Sequence, residues 1–174
     1  MSKELMRLVL DTNVWLDWLV FNDPSVAALK AAHAEGRIEI AIDSACFDEL
    51  RAVLGYPEFS LNDSKIKNHL AYVECCAIKV DEKLPSPSGR RAGDEGRATT
   101  TNSRFTKMSS RLPLPRCADP DDQKFLELAR DAEAHWLITK DKALLEIRRG
   151  QLKEATFRIC TPVQWANTDL HSGL

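Results

Sequence analysis

Short apolar runs separated by amphipathic stretches make up most of this chain. Five apolar runs have the length of β-strands, at 8–10, 38–42, 77–80, 136–139 and 157–160. Because these runs are largely apolar, they predict strands that are buried on both faces. Strands of this kind alternating with helices predict an α/β fold, with helices covering both sides of a short, mainly parallel, five-stranded sheet.

Capping residues mark the starts of the predicted helices. Asp23-Pro24 begins a helix that ends at Gly36, and Asp43 begins one over 44–54. The remaining helices are predicted to begin at Asn62 or Asp63, at Asp119, at Asp141 and at Pro162. This density of helices between short strands supports the α/β prediction.

Acidic residues follow two of the predicted strands. Asp11 comes directly after the first strand, Asp141 follows the fourth, and Glu49 flanks the buried stripe of the helix over 44–54. In parallel sheets, ligands bind at the edge where the strands have their carboxyl ends. We therefore expect these carboxylates to lie together, with a divalent cation that offsets their mutual repulsion.

The segment from Asp119 to Asp122 offers further acids at the head of a long helix. Oxygen ligands without an accompanying histidine favour Mg²⁺ or Mn²⁺ over zinc. The histidines follow no motif, and we expect packing or surface roles for His33, His69, His135 and His171. The acidic segment therefore adds a third ligand to the predicted site.

Each of these acids also has an ordinary structural explanation. Asp11 can begin a turn, and Glu49 can lie on a solvated helix surface. Asp119 and Asp141 can cap helices, because carboxylates accept hydrogen bonds from the free amides there. Their joint order along the chain is what favours a common site.

The composition fits one globular domain. The 174 residues are 44% hydrophobic and 29% charged, which provides enough apolar surface for a core. Residues 85–116 are rich in Pro, Gly, Ser, Thr and basic side chains, and we interpret them as a flexible insertion in a single domain over 1–174. The formal charge of -2 provides no global basic field for nucleic acid.

The cysteines and the N-terminus favour a reducing compartment. The five cysteines form no CxxC pair, and Cys75 and Cys76 are interpreted as small core residues. The apolar run before Asp11 is too short for a signal peptide, and no run approaches the length of a membrane span. We expect a cytoplasmic protein without a membrane partner.

Four motifs, in this order, resemble those of the PIN-domain family. They are LVLDTNV (8–14), DSACFDEL (43–50), CADPDDQKFL (117–126) and LITKD (137–141). The branch that the chain most resembles is that of the toxin components of toxin–antitoxin pairs, which is related to the VapC-type ribonucleases. The resemblance spans roughly residues 7–165, interrupted by the insertion. It implies a PIN-like three-layer α/β/α sandwich and a metal-dependent endoribonuclease.

The resemblance also implies roles for individual residues. The residues implied to be catalytic and to bind Mg²⁺ or Mn²⁺ are Asp11, Glu49, Asp122 and Asp141. Asp122 has the family's spacing to Phe125, while Asp119 and Asp121 stay possible as the third ligand. The residues expected to orient water or a carboxylate are Asn13, Asp119, Asp121 and Thr139. Those expected to guide RNA are Lys140, Lys142, Arg148 and Arg149, with the basic insertion as a second candidate.

The partners implied are an RNA substrate and a small antitoxin protein. Trp15, Trp18 and Phe21, on one early helix, belong either to the core or to a homodimer face. Two other functions stay open, a non-catalytic PIN-like module that binds RNA or protein and a DNA-directed nuclease. A phosphotransferase with Asp11 as nucleophile is disfavoured, because it needs an aspartate where this chain has Asn13.

Overall fold

We describe the protein from a computed structural model. It describes residues 5–80, 114–147, 152, 155 and 157–171, and side chains as far as residue 168. The insertion predicted at 85–116 lies outside the described residues except for 114–116. The single domain over 1–174 therefore stays a prediction.

Five parallel strands form one sheet. They are β1 (Met6–Leu10), β2 (Ile38–Ile42), β3 (Ala77–Lys79), β4 (Trp136–Ile138) and β5 (Arg158–Cys160). Their order is β3-β2-β1-β4-β5, and all neighbours pair in parallel. The prediction of a parallel five-stranded sheet is confirmed. The central position of β1 places Asp11 beside the end of β4, where its amide donates to the Ile138 carbonyl at 3.0 Å.

Seven α-helices accompany the sheet in the described residues. They are α1 (Thr12–Leu16), α2 (Ala27–Ala34), α3 (Ser44–Leu54), α4 (Asp63–Cys76), α5 (Gln123–Asp131), α6 (Lys142–Leu145) and α7 (Pro162–His171). Short 3₁₀ segments cover Pro24–Val26, Pro57–Phe59 and Pro120–Asp122, and a π-helical turn covers Asp17–Phe21. The helices pack in two groups, α3 beside α5 and α2 beside α7, as expected of a three-layer α/β/α sandwich.

Local sequence signals explain where the helices begin and end. The Asp43 carboxylate accepts from the Cys46 amide at 2.8 Å, and the Asn62 side chain accepts from the Lys65 amide at 2.9 Å. Each bond satisfies a free amide of the first turn, at α3 and at α4 respectively. Gly36 follows α2 with a φ of 64°, a left-handed conformation that favours glycine.

The core lies against both faces of β1 and β2. Leu8, Val9 and Ile40 are fully buried, and α5 contributes Phe125 and Leu126. Each large apolar side chain buried in this way stabilises the fold by about 1.5–3 kcal/mol. The ends of β1 and β4 are thereby held in a rigid frame.

One packing prediction needs correction, and one that was left open is decided only in part. Cys75 is exposed and Cys76 only half-buried, because Val73 is the one buried residue of α4 and most of that helix faces solvent. Trp15 and Trp18 belong to the core, whereas Phe21 is 57% exposed because the π-helical turn carries it out of the buried stripe. None of the described helices combines the length and apolar character that a membrane crossing requires.

Candidate active site

Asp11 is a buried carboxylate at the carboxyl end of the central strand. Its side chain is 2% exposed, and Oδ2 accepts a hydrogen bond from the Thr139 hydroxyl at 2.7 Å. Burial raises the pKa of Asp11 above its ordinary value; the Thr139 hydroxyl and the Asn13 amide oppose this, while the charge of Asp141 adds to it. The apolar strand thus ends in a carboxylate that is costly to ionise.

Thr139 connects the ends of β1 and β4. Besides donating to Asp11, its hydroxyl accepts a hydrogen bond from the Asp141 amide at 2.8 Å, and the residue is fully buried. A single side chain therefore fixes the Asp11 carboxylate relative to the backbone of Asp141. Thr139 thus contacts a carboxylate, as its predicted orienting role requires, and that role stays a prediction.

Asp141 and Asp122 face the same edge from two helix starts. Asp141 caps α6, because its Oδ1 accepts from the Ala143 amide at 2.6 Å. Asp122 directly precedes α5, and its pKa is raised to about 7, first by burial and then by the charges of Asp141, Asp11 and Asp119. Asp11, Asp122 and Asp141 therefore lie near enough to repel one another, and we call them the aspartate cluster.

Asp119 and Asp121 have local roles. The Asp119 carboxylate accepts from the Asp121 amide at 2.9 Å, so it caps the turn that leads into α5. The Asp121 side chain is exposed, and its carbonyl accepts from Lys124 at 2.7 Å. Asp122, the residue with the family's spacing, is half-buried, and the charges of Asp141 and Asp11 add to the burial that raises its pKa.

Glu49 lies beside the aspartate cluster with both carboxylate oxygens in use. Oε1 accepts from the Thr12 hydroxyl at 2.7 Å, and Oε2 forms an ion pair with the Lys124 ammonium. Burial lowers the pKa of Lys124, but the hydrogen bond to Glu49 and the charge of Glu49 together raise it by a larger amount. The net shift of the Lys124 pKa is therefore upward. The glutamate is thus joined to the site through Thr12 and neutralised by a lysine.

The predicted RNA-guiding side chains are only partly described. The Lys140 ammonium lies 2.5 Å from the Asp17 carboxylate and 3.8 Å from that of Asp23. The Lys142 side chain is 89% exposed and lies 3.6 Å from Glu146. Arg148, Arg149 and the basic residues of the insertion fall outside the described residues. The guiding role stays a prediction for all of them. Asn13 is exposed, and its predicted orienting role also stays open.

Sequence reasoning missed three side chains of this region. Thr12, Lys124 and Asp17 contact Glu49 or Lys140 across long sequence separations. Asp17 had a visible signal, since it is an acid within the apolar stretch VWLDWLVF. The other two had none beyond their proximity to the motifs.

The donor set suits a hard divalent cation by its chemistry. Carboxylate oxygens are the ligands that Mg²⁺ and Mn²⁺ prefer, and a cation would relieve the repulsion that raises the pKa of Asp122. The arrangement is incomplete, however, because the described residues contain no group of three or more His, Cys, Asp or Glu side chains placed to hold an ion. The chemistry fits, whereas the metal-free geometry lacks a closed set of ligands.

The fold and this edge define an α/β domain with an acidic site at the carboxyl ends of its central strands. A PIN domain family model matches residues 7–143, and the chain belongs to that family, whose members are in general nucleases. Neither the curated proteins nor the solved structures include a match to this chain. The family resemblance inferred from the four motifs is thereby confirmed at the level of the PIN domain.

Proposed function

We propose that this protein is a metal-dependent endoribonuclease whose site comprises Asp11, Glu49, Asp122 and Asp141. The observation that carries the proposal is the aspartate cluster, where burial first, and then the charges of Asp141, Asp11 and Asp119, raise the pKa of Asp122 to about 7. Clustered carboxylates reduce the stability of the metal-free protein, and such clusters are typical of sites whose function requires their negative charge. Family membership supports a nuclease as that function.

The proposed roles follow from where each side chain lies. Asp11, Asp122 and Asp141 would hold Mg²⁺ or Mn²⁺, and Thr139 would fix Asp11 against Asp141. When bound, the ion would activate a water molecule and stabilise the charge that develops on the phosphate. The aspartate carboxylates alone would repel the RNA backbone, so basic side chains must offset that repulsion.

Lys142 is the best placed of the proposed RNA-guiding residues. Its side chain is 89% exposed directly beside Asp141, so it is free to reach a phosphate after leaving its long contact with Glu146. Lys140 is held by Asp17, and we assign it a lesser role in guiding RNA. Loss of one phosphate contact should weaken RNA binding about equally for all sequences and lower its salt dependence.

The biological role proposed is that of the toxin of a toxin–antitoxin pair, acting in the cytoplasm on cellular RNA. This rests on the resemblance of the four motifs to VapC-type ribonucleases. A small antitoxin protein would then be the partner, and a short neighbouring reading frame should encode it. Expression of the chain alone should arrest growth, and Asp11→Asn should abolish the arrest.

Cleavage assays with matched RNA and DNA strands test the proposed activity. Metal-stripped protein should cut RNA internally only after Mn²⁺ or Mg²⁺ is added, and Asp11→Asn should be inactive. Asp48→Asn is a suitable control, because Asp48 is an exposed acid on α3 that pairs with Arg51 at 2.7 Å. RNA binding without cleavage would favour the non-catalytic module, and preferential cutting of DNA would favour the DNA-directed nuclease.

A further inference from the structure

Lys124 is a partly buried lysine at the border of the acidic site. It lies in the first turn of α5, two positions after Asp122, and its side chain is 24% exposed. The ammonium forms an ion pair with Glu49 and donates to the Asp121 carbonyl at 2.7 Å. Its contacts hold a positive charge between α3 and the start of α5.

This positive charge divides the acidic residues into two groups. Asp11 and the Asp141 amide share the Thr139 hydroxyl, and no lysine or arginine of the described residues lies within ion-pair distance of the aspartate cluster. Glu49 instead accepts from Thr12 with one oxygen and pairs with Lys124 through the other. The lack of a closed set of metal ligands in the described residues is consistent with this division.

We propose that the Lys124 ammonium is an internal cation of the acidic site, which holds Glu49 in the place of a second divalent ion. The inference rests on the proposed metal dependence. An ammonium bound to Glu49 neutralises the carboxylate and repels a divalent cation that approaches it. The site would therefore take one ion at the aspartate cluster, with Lys124 as a positioning residue for Glu49.

Metal stoichiometry distinguishes this role from a merely structural ion pair. A surface ion pair contributes little to stability and has no effect on how many ions bind. An internal cation, in contrast, determines whether Glu49 is available as a ligand. Its loss should open a second site, and its replacement by another permanent cation should keep that site closed.

The experiment is a titration of the metal-stripped, full-length protein with Mn²⁺, followed by calorimetry and by the electron paramagnetic resonance signal of free Mn²⁺. Wild type and Lys124→Arg should bind one ion, whereas Lys124→Gln should bind two, the second at least ten times more tightly than any second ion in wild type. Lys124→Gln combined with Glu49→Gln should return to one ion. Lys142→Gln is the matched control, since it removes a positive charge beside Asp141 without touching Glu49, and it should bind one.

Metal-free melting curves will show which variants are folded, and Lys124→Met provides a second neutral variant if Lys124→Gln is not. Two ions in wild type, with one lost in Glu49→Gln, would overturn the inference. One ion in both neutral Lys124 variants would also overturn it. If both neutral variants bind one ion while wild type binds one ion and cleaves RNA, the proposed function is retained without the inference about Lys124. If wild type binds none and Lys124→Gln binds one, the internal cation stands and the metal dependence of the wild type fails. No binding in either protein would overturn both.

Discussion

Two groups of aspartates contact the residues that follow β4, and they differ in their ionic partners. In the first group, the Lys140 ammonium lies 2.5 Å from Asp17 and 3.8 Å from Asp23. The second group is the aspartate cluster, to which no ammonium or guanidinium of the described residues comes within ion-pair distance. The first group is a structural ion pair, whereas in the second the pKa of Asp122 is raised to about 7 by burial and by neighbouring carboxylates.

The difference indicates which acids contribute to the stability of the fold and which reduce it. Asp17 is 8% exposed, and its lysine partner joins the π-helical turn to the residue between Thr139 and Asp141. Burial first, and then charges within the aspartate cluster, raise the pKa of Asp11 and Asp122, so these two carboxylates oppose the folded state when they are ionised. Substitutions in the first group should therefore change stability, and those in the second should change function.

The largest effect is expected for Asp11→Asn. This change removes one charge with almost no change in volume, so metal-dependent RNA cleavage should fall by a factor on the order of 100 or more. The metal-free protein should be as stable as wild type or more so, because repulsion within the cluster decreases. Cleavage rates with Mn²⁺ and urea unfolding check both parts, and full activity of this variant would refute the assignment of Asp11.

Asp122 and Asp119 separate a ligand from a helix cap. Asp122→Ala should abolish metal binding and cleavage, with little loss of metal-free stability. Asp119→Ala should cost about 1 kcal/mol of stability, because the Asp121 amide loses its acceptor, and should reduce activity only in part. An Asp119 variant that cannot bind metal, beside an Asp122 variant that can, would show that the ligand was assigned to the wrong aspartate.

Thr139→Val tests the contact that joins the two strand ends. The variant keeps the shape of the side chain but loses the bond to Asp11 and the acceptor for the Asp141 amide. We expect metal affinity to fall about 10–100-fold, the range for residues that support a ligand. Thermal unfolding with and without Mn²⁺ measures this, and an unchanged metal-induced shift would mean that Thr139 has no positioning role.

Lys140→Met should affect stability more than activity. It leaves the Asp17 carboxylate buried without its partner, which should cost about 2 kcal/mol after allowance for the partial exposure of Lys140. Lys142→Met is the exposed control and should cost less than about 0.5 kcal/mol. Denaturant unfolding compares the two. Equal stability of both variants would abolish the distinction between the two aspartate groups.

The last prediction concerns the dependence of stability on pH. The pKa of Asp122 rises from an ordinary 3.8 to about 7 in the folded protein, so between these values the folded state binds more protons than the unfolded state. The stability of the metal-free protein should therefore fall as pH rises through this window, with the loss complete above about 7. Asp122→Asn should flatten this dependence, whereas Asp48→Asn should not. Urea unfolding across the window would expose the idea as wrong if stability rose with pH in wild type and the Asp122 variant alike.

The sequence was sufficient for the sheet and for the starts of several helices, because those features depend on local patterns. The apolar run before Asp11 predicted β1, and Asp43 and Asn62 predicted the starts of α3 and α4. The pairing of Glu49 with Lys124 joins residues 75 positions apart (124 − 49) and depends on how α3 and α5 pack together. No local pattern encodes such a contact.

The same reasoning explains one incorrect prediction and one position that the sequence left open. Cys75 was assigned to the core from an apolar stretch, but the exposure of α4 depends on what packs against it. Phe21 continues an apolar run, yet the π-helical turn shifts its direction by a local change of helical period. In both cases the composition is right and the orientation is decided by tertiary structure.

The central claim is that the aspartate cluster is a divalent-metal site, and calorimetric titration with Mn²⁺ at about pH 6.5 tests it most directly. The pH of this titration lies below the Asp122 pKa of about 7, so the carboxyl group is largely protonated. An ion that binds it must therefore displace a proton. Titrations in two buffers of different ionisation enthalpy count the protons released. The account predicts saturable binding with proton release in wild type and the loss of both in Asp11→Asn. Absence of saturable binding in wild type, or binding that Asp11→Asn leaves intact, would contradict it.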